Sequence, residues 1–266
     1  MAGKKRNPKT TLLNILIVLC TTSMLICGTL FVLPLLEYRV GDALYVELSR
    51  NAGASPPPAP ERIQNADTSG PTPIPLPIPE PDYDALLLEN GEFYAWLYCK
   101  DTVINYPVTQ GEDNRYYLNH LFNKKRNSMG TLFVDAGNAP GLADQNTIIY
   151  GHHMKNGSMF ASLVGYKKQA YYDEHPELFL FTNSAVYQVE LFAGYVTKGY
   201  ATNDVYKKGF DTEALFLSFL DTARANSDFV SGVEVTAKDR IVTLSTCTYE
   251  YDEARYVVLG KLVRIE

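Results

Sequence analysis

The chain has 266 residues, of which 46% are hydrophobic and 12% aromatic, and its formal net charge is -6. This length allows one large β domain with a packed core, and the negative charge argues against a broad nucleic-acid-binding surface. Of its four cysteines, Cys20 and Cys27 lie in a long apolar stretch near the N-terminus, and the two that remain, Cys99 and Cys247, make no disulfide framework.

The N-terminus predicts a single membrane-spanning helix. Basic residues in the segment 1–9 precede an uncharged stretch over residues 10–36, which is longer than the roughly 20 residues needed to cross a bilayer. By the positive-inside rule, residues 1–9 stay in the cytoplasm and the rest of the chain lies outside, as in a type II membrane protein. The alternative is a signal peptide, but the stretch exceeds an ordinary signal core and no small-x-small cleavage site closely follows it.

Residues 37–81 are predicted to connect this helix to a folded domain. Residues 37–50 are compatible with a short helix, and from residue 51 to about residue 81 proline recurs among Ala, Ser, Thr and Gly. This composition cannot build a packed core and is typical of a semi-rigid spacer. At about 3.1 Å per residue in polyproline II, the segment could hold the domain on the order of 90 Å from the membrane.

Residues 82–266 predict a mainly β domain. Short apolar runs rich in Val, Ile, Tyr, Phe and Thr are bounded by Gly, Asn, Asp or Pro, which favours an antiparallel barrel or sandwich. These runs cover residues 130–135, 147–150, 178–181, 186–193, 241–244 and 256–263. Residues 211–226 instead carry apolar side chains at the helical period, with Asp211 as the predicted N-cap. A second short helix is predicted from Ser158 to Leu163.

Three side chains at the ends of apolar runs carry the candidate chemistry: Cys247, His152 and Arg255. A thiolate nucleophile, a proton shuttle and an anion-stabilising guanidinium are what covalent acyl transfer requires. Each has a simpler alternative. The cysteine could be a buried structural residue, the histidine could be exposed or bind metal, and the arginine could pair with Glu253.

His152 and His153 are adjacent, so on an extended chain they point to opposite sides and only one can face the thiol. No cluster with zinc-ligand spacing accompanies them, so no metal site is expected. Cys99 is interpreted as a core residue. A disulfide between Cys99 and Cys247 is chemically possible outside the cell, but we interpret Cys247 as a free, reactive thiol. The two cysteines of the membrane stretch are interpreted as small apolar residues.

Several linked motifs occur in a characteristic order. They are Asn105–Gln110, Asp113–Leu118, Gly130–Asp135, Ile149–Phe160, the helical segment 211–226, and Thr243-Leu-Ser-Thr-Cys247 followed by Arg255. Together they resemble the class B sortases, cysteine transpeptidases of Gram-positive bacteria, over about residues 85–266. The long proline-rich segment departs from the usual class B pattern.

The resemblance implies a sortase-type closed β-barrel of about eight strands with short helices and the class B helical insertion, preceded here by the membrane helix. It implies that Cys247 is the nucleophile, that His152 is the family histidine with His153 as a spare, and that Arg255 is the family arginine. By the same resemblance, the substrate-binding residues would be Asn114, Leu118, Thr202, Tyr206 and Ser245. No metal or other cofactor is implied.

The implied activity is cleavage of a C-terminal sorting signal of secreted proteins after Thr, through a thioacyl-enzyme. The acyl group would pass to an amine of a peptidoglycan precursor or to a pilin Lys, and the class suggests an Asn-Pro-x-Thr type of signal. The enzyme would lie at the cell membrane, with its catalytic domain on the cell-wall side. Two alternatives remain open at this point: an extracytoplasmic cysteine protease, papain-like or other, and a non-enzymatic wall-associated β domain with an inert cysteine.

Overall fold

The computed structural model describes residues 8–54, 80–200, 202–248 and 252–265. Its helices are α1 (Pro8–Asn51), α2 (Tyr83–Glu89), α3 (Gln169–Glu174) and α4 (Glu213–Ala225). Its strands are β1 (Phe93–Tyr98), β2 (Asn105–Thr109), β3 (Leu132–Val134), β4 (Asn146–Gly151), β5 (Glu177–Thr182), β6 (Ala185–Lys198), β7 (Ile241–Cys247) and β8 (Ala254–Arg264). Short 3-10 helices cover Tyr116–Leu118, Pro140–Leu142, Phe160–Lys167 and Asp204–Tyr206.

The eight strands close into a barrel in the order β1-β2-β3-β4-β7-β8-β6-β5. The pairs β2–β3 and β4–β7 are parallel, and the other neighbours are antiparallel. The predicted β-barrel is therefore confirmed, and all six predicted strands are present. The sheet is not purely antiparallel, and the parallel pair β4–β7 brings two chemically important strand ends to one edge of the barrel.

Helix α4 covers the outside of the barrel. Its buried side chains Phe216, Phe219, Leu220 and Ala223 follow the helical period and join a cluster with Phe192 and Val257. The insertion predicted at 211–226 is confirmed as a helix, but Asp211 is not its N-cap. Thr212 caps α4 instead, because its side-chain oxygen accepts a hydrogen bond from the backbone N–H of Leu215 at 3.2 Å.

The short helix predicted from Ser158 to Leu163 is shifted along the chain and has the tighter 3-10 form, over Phe160–Lys167. Met159, which precedes it, has a φ of 56°, and its backbone closes an isolated bridge with His153. The chain after the histidines therefore makes a compact bend before the 3-10 helix begins.

Helix α1 is longer than the membrane helix predicted over residues 10–36, and residues 37–50, predicted to continue as a short helix, belong to the same helix. It runs without interruption from Pro8 to Asn51, and Pro34 does not end it. Its N-terminal part is apolar, exposed, and long enough by length and composition to cross a membrane. Its C-terminal part packs on the barrel and contributes Tyr45 and Leu48 to the hydrophobic core.

The flanks of the proline-rich segment lie side by side, which bears on its predicted role as a spacer. Residues 55–79 lie outside the described residues. On the N-terminal flank, Ala52 and Ala54 belong to the core. On the C-terminal flank, the backbone N–H of Asp82 donates to the carbonyl oxygen of Ala52 at 2.8 Å. The distance from α1 to the barrel is therefore set by these contacts and not by the length of the segment between them. The predicted boundary at residue 82 leaves out residues that pack on the barrel.

Candidate active site

Three strand ends bring the candidate residues together. Strands β4 and β7 run parallel with Gly151 opposite Thr246, so His152 and Cys247 follow at the same edge of the barrel. Adjacent strands are about 4.8 Å apart. On the other side of β7, Cys247 pairs directly with Arg255 of β8. Directly opposed residues of an antiparallel pair carry their side chains on the same face of the sheet.

A cleft of about 270 Å³ opens at this edge. It is lined by Asn114, Leu118, Phe133, Asp135, Tyr150, Gly151, His152, Gly199, Tyr206, Lys208, Ser245, Thr246, Cys247 and Arg255. The three residues predicted to carry the chemistry are all among them. Cys247 is partly exposed and is a free thiol, so it is accessible from the cleft.

The two histidines have different partners. The Nε2–H of His152 donates to the carbonyl oxygen of Leu118 at 2.6 Å, which leaves Nδ1 as the nitrogen for proton exchange. His153 does not line the cleft. Its Nδ1–H donates to the backbone oxygen of Cys247 at 3.0 Å, so it contacts the cysteine through the main chain. The structure thus distinguishes the two histidines as the sequence alone could not.

Gly151 is required by close packing next to His152. A Cβ at this position would lie 2.4 Å from Cδ2 of Leu132 and 2.5 Å from Cδ2 of Phe160. Both of these side chains are fully buried. Any larger residue would therefore displace the end of β4 and the histidine that follows it.

Arg255 lies at the mouth of the cleft. Its Nη1 donates to the carbonyl oxygen of Ala254 at 3.0 Å, and its Nη2 is 3.4 Å from Oε2 of Glu253. The predicted alternative, pairing with Glu253, therefore does occur. The Glu253 side chain is 58% exposed and that of Arg255 28%, so the pair is held weakly. A Cβ on Gly199 would lie 3.1 Å from the guanidinium carbon, so this glycine leaves room for the arginine.

Four of the five predicted substrate-binding residues line the cleft. They are Asn114, Leu118, Tyr206 and Ser245. The hydroxyl groups of Tyr206 and Ser245 are 3.1 Å apart. Thr202 does not line it and faces a neighbouring groove with Thr197 and Asn203. The chain turns after β6 into the 3-10 helix Asp204–Tyr206, and this turn separates Thr202 from Tyr206.

Asp135 is a buried carboxylate in the cleft that ends the Gly130–Asp135 motif but was not predicted as a site residue. Its Oδ2 accepts hydrogen bonds from Asn114 Nδ2 at 2.9 Å and Tyr150 OH at 3.0 Å. Its Oδ1 accepts from Gly137 N–H at 2.8 Å and lies 3.0 Å from Lys208 Nζ. The network joins the β2–β3 connection, β4 and the loop before α4. Its sequence signal is an acid at the end of the predicted strand run 130–135.

The charge of Asp135 is stabilised within this network. Burial by itself raises the pKa of the carboxyl group, but the hydrogen bonds from Gly137, Lys208 and Tyr150 outweigh it, so the pKa lies below its ordinary value. A carboxyl group with a lowered pKa stabilises the fold above its unfolded pKa and loses that contribution as the pH falls through the folded one. Burial, and next the Asp135 charge, raise the pKa of Tyr150, which keeps its hydroxyl protonated as a donor.

Cys99 is buried, as predicted. Burial raises the pKa of its thiol to about 11, so it stays protonated and unreactive at neutral pH. All four cysteines are free in the structure, and no disulfide joins Cys99 to Cys247. In the part of the chain that the structure describes, no group of three or more His, Cys, Asp or Glu side chains could hold a metal ion.

The fold and the cleft define a class of protein: a closed β-barrel with a cysteine, a histidine and an arginine at the ends of adjacent strands. The sortase domain family matches residues 97–263. Sortase B of Listeria monocytogenes is 40% identical over 178 residues, which are 65% of this chain and 71% of the relative. Sortase B of Staphylococcus aureus is 36% identical over 186 residues, which are 69% of this chain and 75% of the relative.

Solved structures of sortase B proteins have a similar fold. The crystal structure of Staphylococcus aureus Sortase B has a TM-score of 0.66 and 33% identity, and covers 70% of this chain and 89% of its own. The structure of sortase B from Bacillus anthracis in complex with AAEK1 has a TM-score of 0.70 and 31% identity, with 86% and 99% covered. The chain belongs to the sortase family, class B, and is a sortase-type transpeptidase.

The two alternatives left open by the sequence can now be compared with the fold. A papain-like protease places its cysteine at the start of a helix, whereas Cys247 ends strand β7 of a closed barrel. A non-enzymatic wall domain does not account for membership of a transpeptidase family.

Proposed function

We propose that this chain is a membrane-anchored class B sortase whose Cys247 attacks the carbonyl carbon of a Thr in the sorting signal of a secreted protein. The observation that carries the proposal is the convergence of Cys247, His152 and Arg255 on one cleft. Each comes from a different strand end, and neighbouring strands hold them in register. Groups held in this way need no reorganisation when the substrate arrives.

In the first half of the reaction, a bond forms between the Cys247 sulfur and the threonine carbonyl carbon. The thiolate is the attacking species, and the resulting tetrahedral intermediate carries a negative oxygen. The carbon–nitrogen bond then breaks, and His152 delivers its proton to the leaving amine. The Nε2 hydrogen bond to Leu118 supports this role, because it orients the ring and leaves Nδ1 to exchange the proton.

In the second half, an amine attacks the thioacyl carbon and His152 takes its proton. The new amide bond forms, the carbon–sulfur bond breaks, and the Cys247 thiolate is regenerated. The proposed acceptor is a peptidoglycan precursor amine or a lysine of a pilin. A cleft that opens to solvent beside Cys247 is compatible with entry of this second substrate.

Arg255 is proposed to stabilise the tetrahedral oxyanion or to hold the substrate carbonyl, together with backbone N–H groups. Its place opposite Cys247 on β8 supports this role. An Arg255→Lys enzyme keeps the positive charge but loses the planar fork of donors. We expect kcat/KM for peptide cleavage to fall by about 10²-fold, as when an oxyanion donor is lost. Steady-state kinetics on a fluorogenic sorting peptide measure this, and an unchanged kcat/KM would show that the guanidinium geometry is not needed.

The sorting signal is proposed to lie along the side of the cleft formed by Asn114, Leu118, Tyr206 and Ser245. Leu118 supplies an apolar surface, and the other three supply amide and hydroxyl groups suited to a polar peptide. Thr202 is retained as a proposed contact only for a peptide long enough to reach its neighbouring groove. An Asn-Pro-x-Thr peptide would place its Thr carbonyl at Cys247, with the preceding residues along this side.

The membrane topology is also part of the proposal. The exposed apolar part of α1 would cross the membrane, with residues 1–9 inside and the barrel on the cell-wall side. The partners on that side would be secreted proteins that carry the sorting signal and the cell-wall amine that receives them.

One experiment tests these points together. A membrane-impermeant, labelled Asn-Pro-x-Thr peptide and an acceptor amine such as triglycine are supplied to intact cells that express the full chain, and in parallel to the detergent-solubilised enzyme. We expect a transpeptidation product in both, a mass adduct of the acyl group on the protein, and little product from a peptide with a scrambled motif.

Other outcomes identify which part of the proposal fails. Product from the solubilised enzyme but not from intact cells would contradict the outward orientation. Hydrolysis that does not decrease when the amine is added would point to a protease and against transpeptidation.

A further inference from the structure

We propose that the C-terminal part of α1, residues 37–54, is a positioning element of the active site that holds the two loops fixing His152. The inference rests on the proposed role of His152. It concerns the β2–β3 connection (residues 110–131) and the histidine loop (residues 152–159), both of which contact α1. The helix proposed as the membrane anchor would then also set the rate of the chemistry.

The β2–β3 connection is held along one side of α1. Asn127 Nδ2 donates to the carbonyl oxygen of Glu37 at 2.9 Å, and Ser128 Oγ donates to Glu37 Oε2 at 2.8 Å. Two turns further on, the buried hydroxyl of Tyr45 donates to the carbonyl oxygen of Gly130 and lies 3.0 Å from Thr131 Oγ1. These contacts involve four of the five residues from 127 to 131 of the connection.

The same connection supplies the acceptor for the histidine. The backbone N–H of Thr131 donates to the carbonyl oxygen of Tyr117 at 2.9 Å. The next residue, Leu118, accepts the hydrogen bond from His152 Nε2 at 2.6 Å. Thr131 therefore links the α1 contacts to Tyr117. Leu118, whose carbonyl group orients the His152 ring, is the residue after Tyr117.

The histidine loop has its own contacts with α1. Asn156 Nδ2 donates to Asp42 Oδ2 at 3.3 Å. The ring of Tyr45 packs edge-on against Tyr106, with centroids 5.3 Å apart, and the Tyr106 hydroxyl accepts from the backbone N–H of Met159 at 3.2 Å. The loop closes at its base, where the N–H of Phe160 donates to the carbonyl oxygen of His152 at 2.9 Å.

Gly41 allows α1 to approach this closely. A Cβ at Gly41 would lie 2.4 Å from Sδ of Met129 and 3.4 Å from its Cβ, and Met129 is fully buried. A Cβ at Gly28, on the exposed apolar part of the same helix, would meet nothing within 4 Å. The two glycines therefore form a matched pair. The same substitution changes the intrinsic helix preference equally at both sites, but only at Gly41 does it push α1 away from the loops.

The test compares Gly41→Leu with Gly28→Leu in the full-length enzyme in detergent micelles. The readouts are the single-turnover rate of acylation and the peptide KM. A shift of about 1 Å in a reacting group can cost on the order of 10²-fold in rate. We expect the acylation rate of Gly41→Leu to fall at least about tenfold with a smaller change in KM, because Tyr206 and Ser245, which also line the peptide-binding side, lie outside both loops that α1 holds. Gly28→Leu should match the wild type.

A milder pair keeps the inference testable if Gly41→Leu does not fold. Asp42→Ala and Asn156→Ala should each slow acylation by roughly threefold, and the double variant should be no slower than either, because both changes remove one contact. Glu47→Ala removes an exposed acid from the same helix and should have no effect. Thermal unfolding of all four variants shows whether they remain equally stable.

Three results would decide against the inference. They are equal acylation rates for Gly41→Leu and Gly28→Leu, a loss confined to KM, or additive effects in the Asp42–Asn156 cycle. A wild-type enzyme that forms no acyl-enzyme at all would instead contradict the proposed function, so the two failures are distinguishable.

Discussion

An enzyme carrying Cys247→Ala is expected to form no acyl-enzyme on a labelled sorting peptide, with turnover reduced by about 10⁵-fold or more. Alanine retains the Cβ and the fold of β7 but removes the sulfur that lines the cleft. Without a covalent intermediate, the reaction cannot proceed as two easier half-reactions. Intact-mass spectrometry of the protein after exposure to peptide measures the adduct directly, and product chromatography measures the residual rate.

Cys20→Ala is the matched control for this prediction. Cys20 is exposed on the apolar part of α1, far along the chain from the cleft, so its loss should leave the acyl adduct unchanged. Cys99 is a less suitable control, because its burial makes any substitution a test of packing. Acylation of the Cys247→Ala protein above the level of an enzyme-free blank would refute the assignment of the nucleophile.

His152→Ala is expected to reduce the acylation rate by about 10³-fold, within the range for loss of a general acid–base group. His153→Ala should cost less than tenfold. The reason is geometric, since His152 lines the cleft, whereas His153 lies outside its lining and donates to the main-chain oxygen of Cys247. Stopped-flow measurement of the first turnover separates this step from amine transfer.

The adjacent histidines serve as controls for each other. Both substitutions remove an imidazole from the same partly exposed bend, so a general loss of stability would affect both variants. If His153→Ala were the slower enzyme, the roles assigned to the two rings would have to be exchanged. Equal losses would point to the bend itself rather than to one ring.

Much of the barrel could be predicted from local pattern. The six predicted strands are present because each is a short apolar run ended by Gly, Asn, Asp or Pro, and these signals are local. The other two strands were not predicted. Pro107 lies within β2, and proline argues against a central strand. In the fold it pairs with Trp96 of β1, a position that only the closed barrel reveals.

Part of the candidate site could be predicted from the sequence for a similar reason. Cys247, His152 and Arg255 follow or open strong apolar runs, so their places at strand ends could be predicted from the sequence. That they share one edge depends on β4 pairing in parallel with β7, a contact between segments about a hundred residues apart along the chain. Thr202 shows the limit of the family resemblance, because it lies four residues from Tyr206 yet faces a different groove.

By itself, the sequence determined the reactive groups, the apolar helix at the N-terminus and the strand segments, because side-chain chemistry and hydrophobic periodicity are properties of neighbouring residues. Only the tertiary structure decided that Asp135, Tyr150 and Lys208 share the cleft with Cys247, that His152 rather than His153 faces it, and that α1 packs on the loops behind His152. These facts depend on chain closure between distant segments, where burial and hydrogen bonding select one arrangement among many that the local pattern allows.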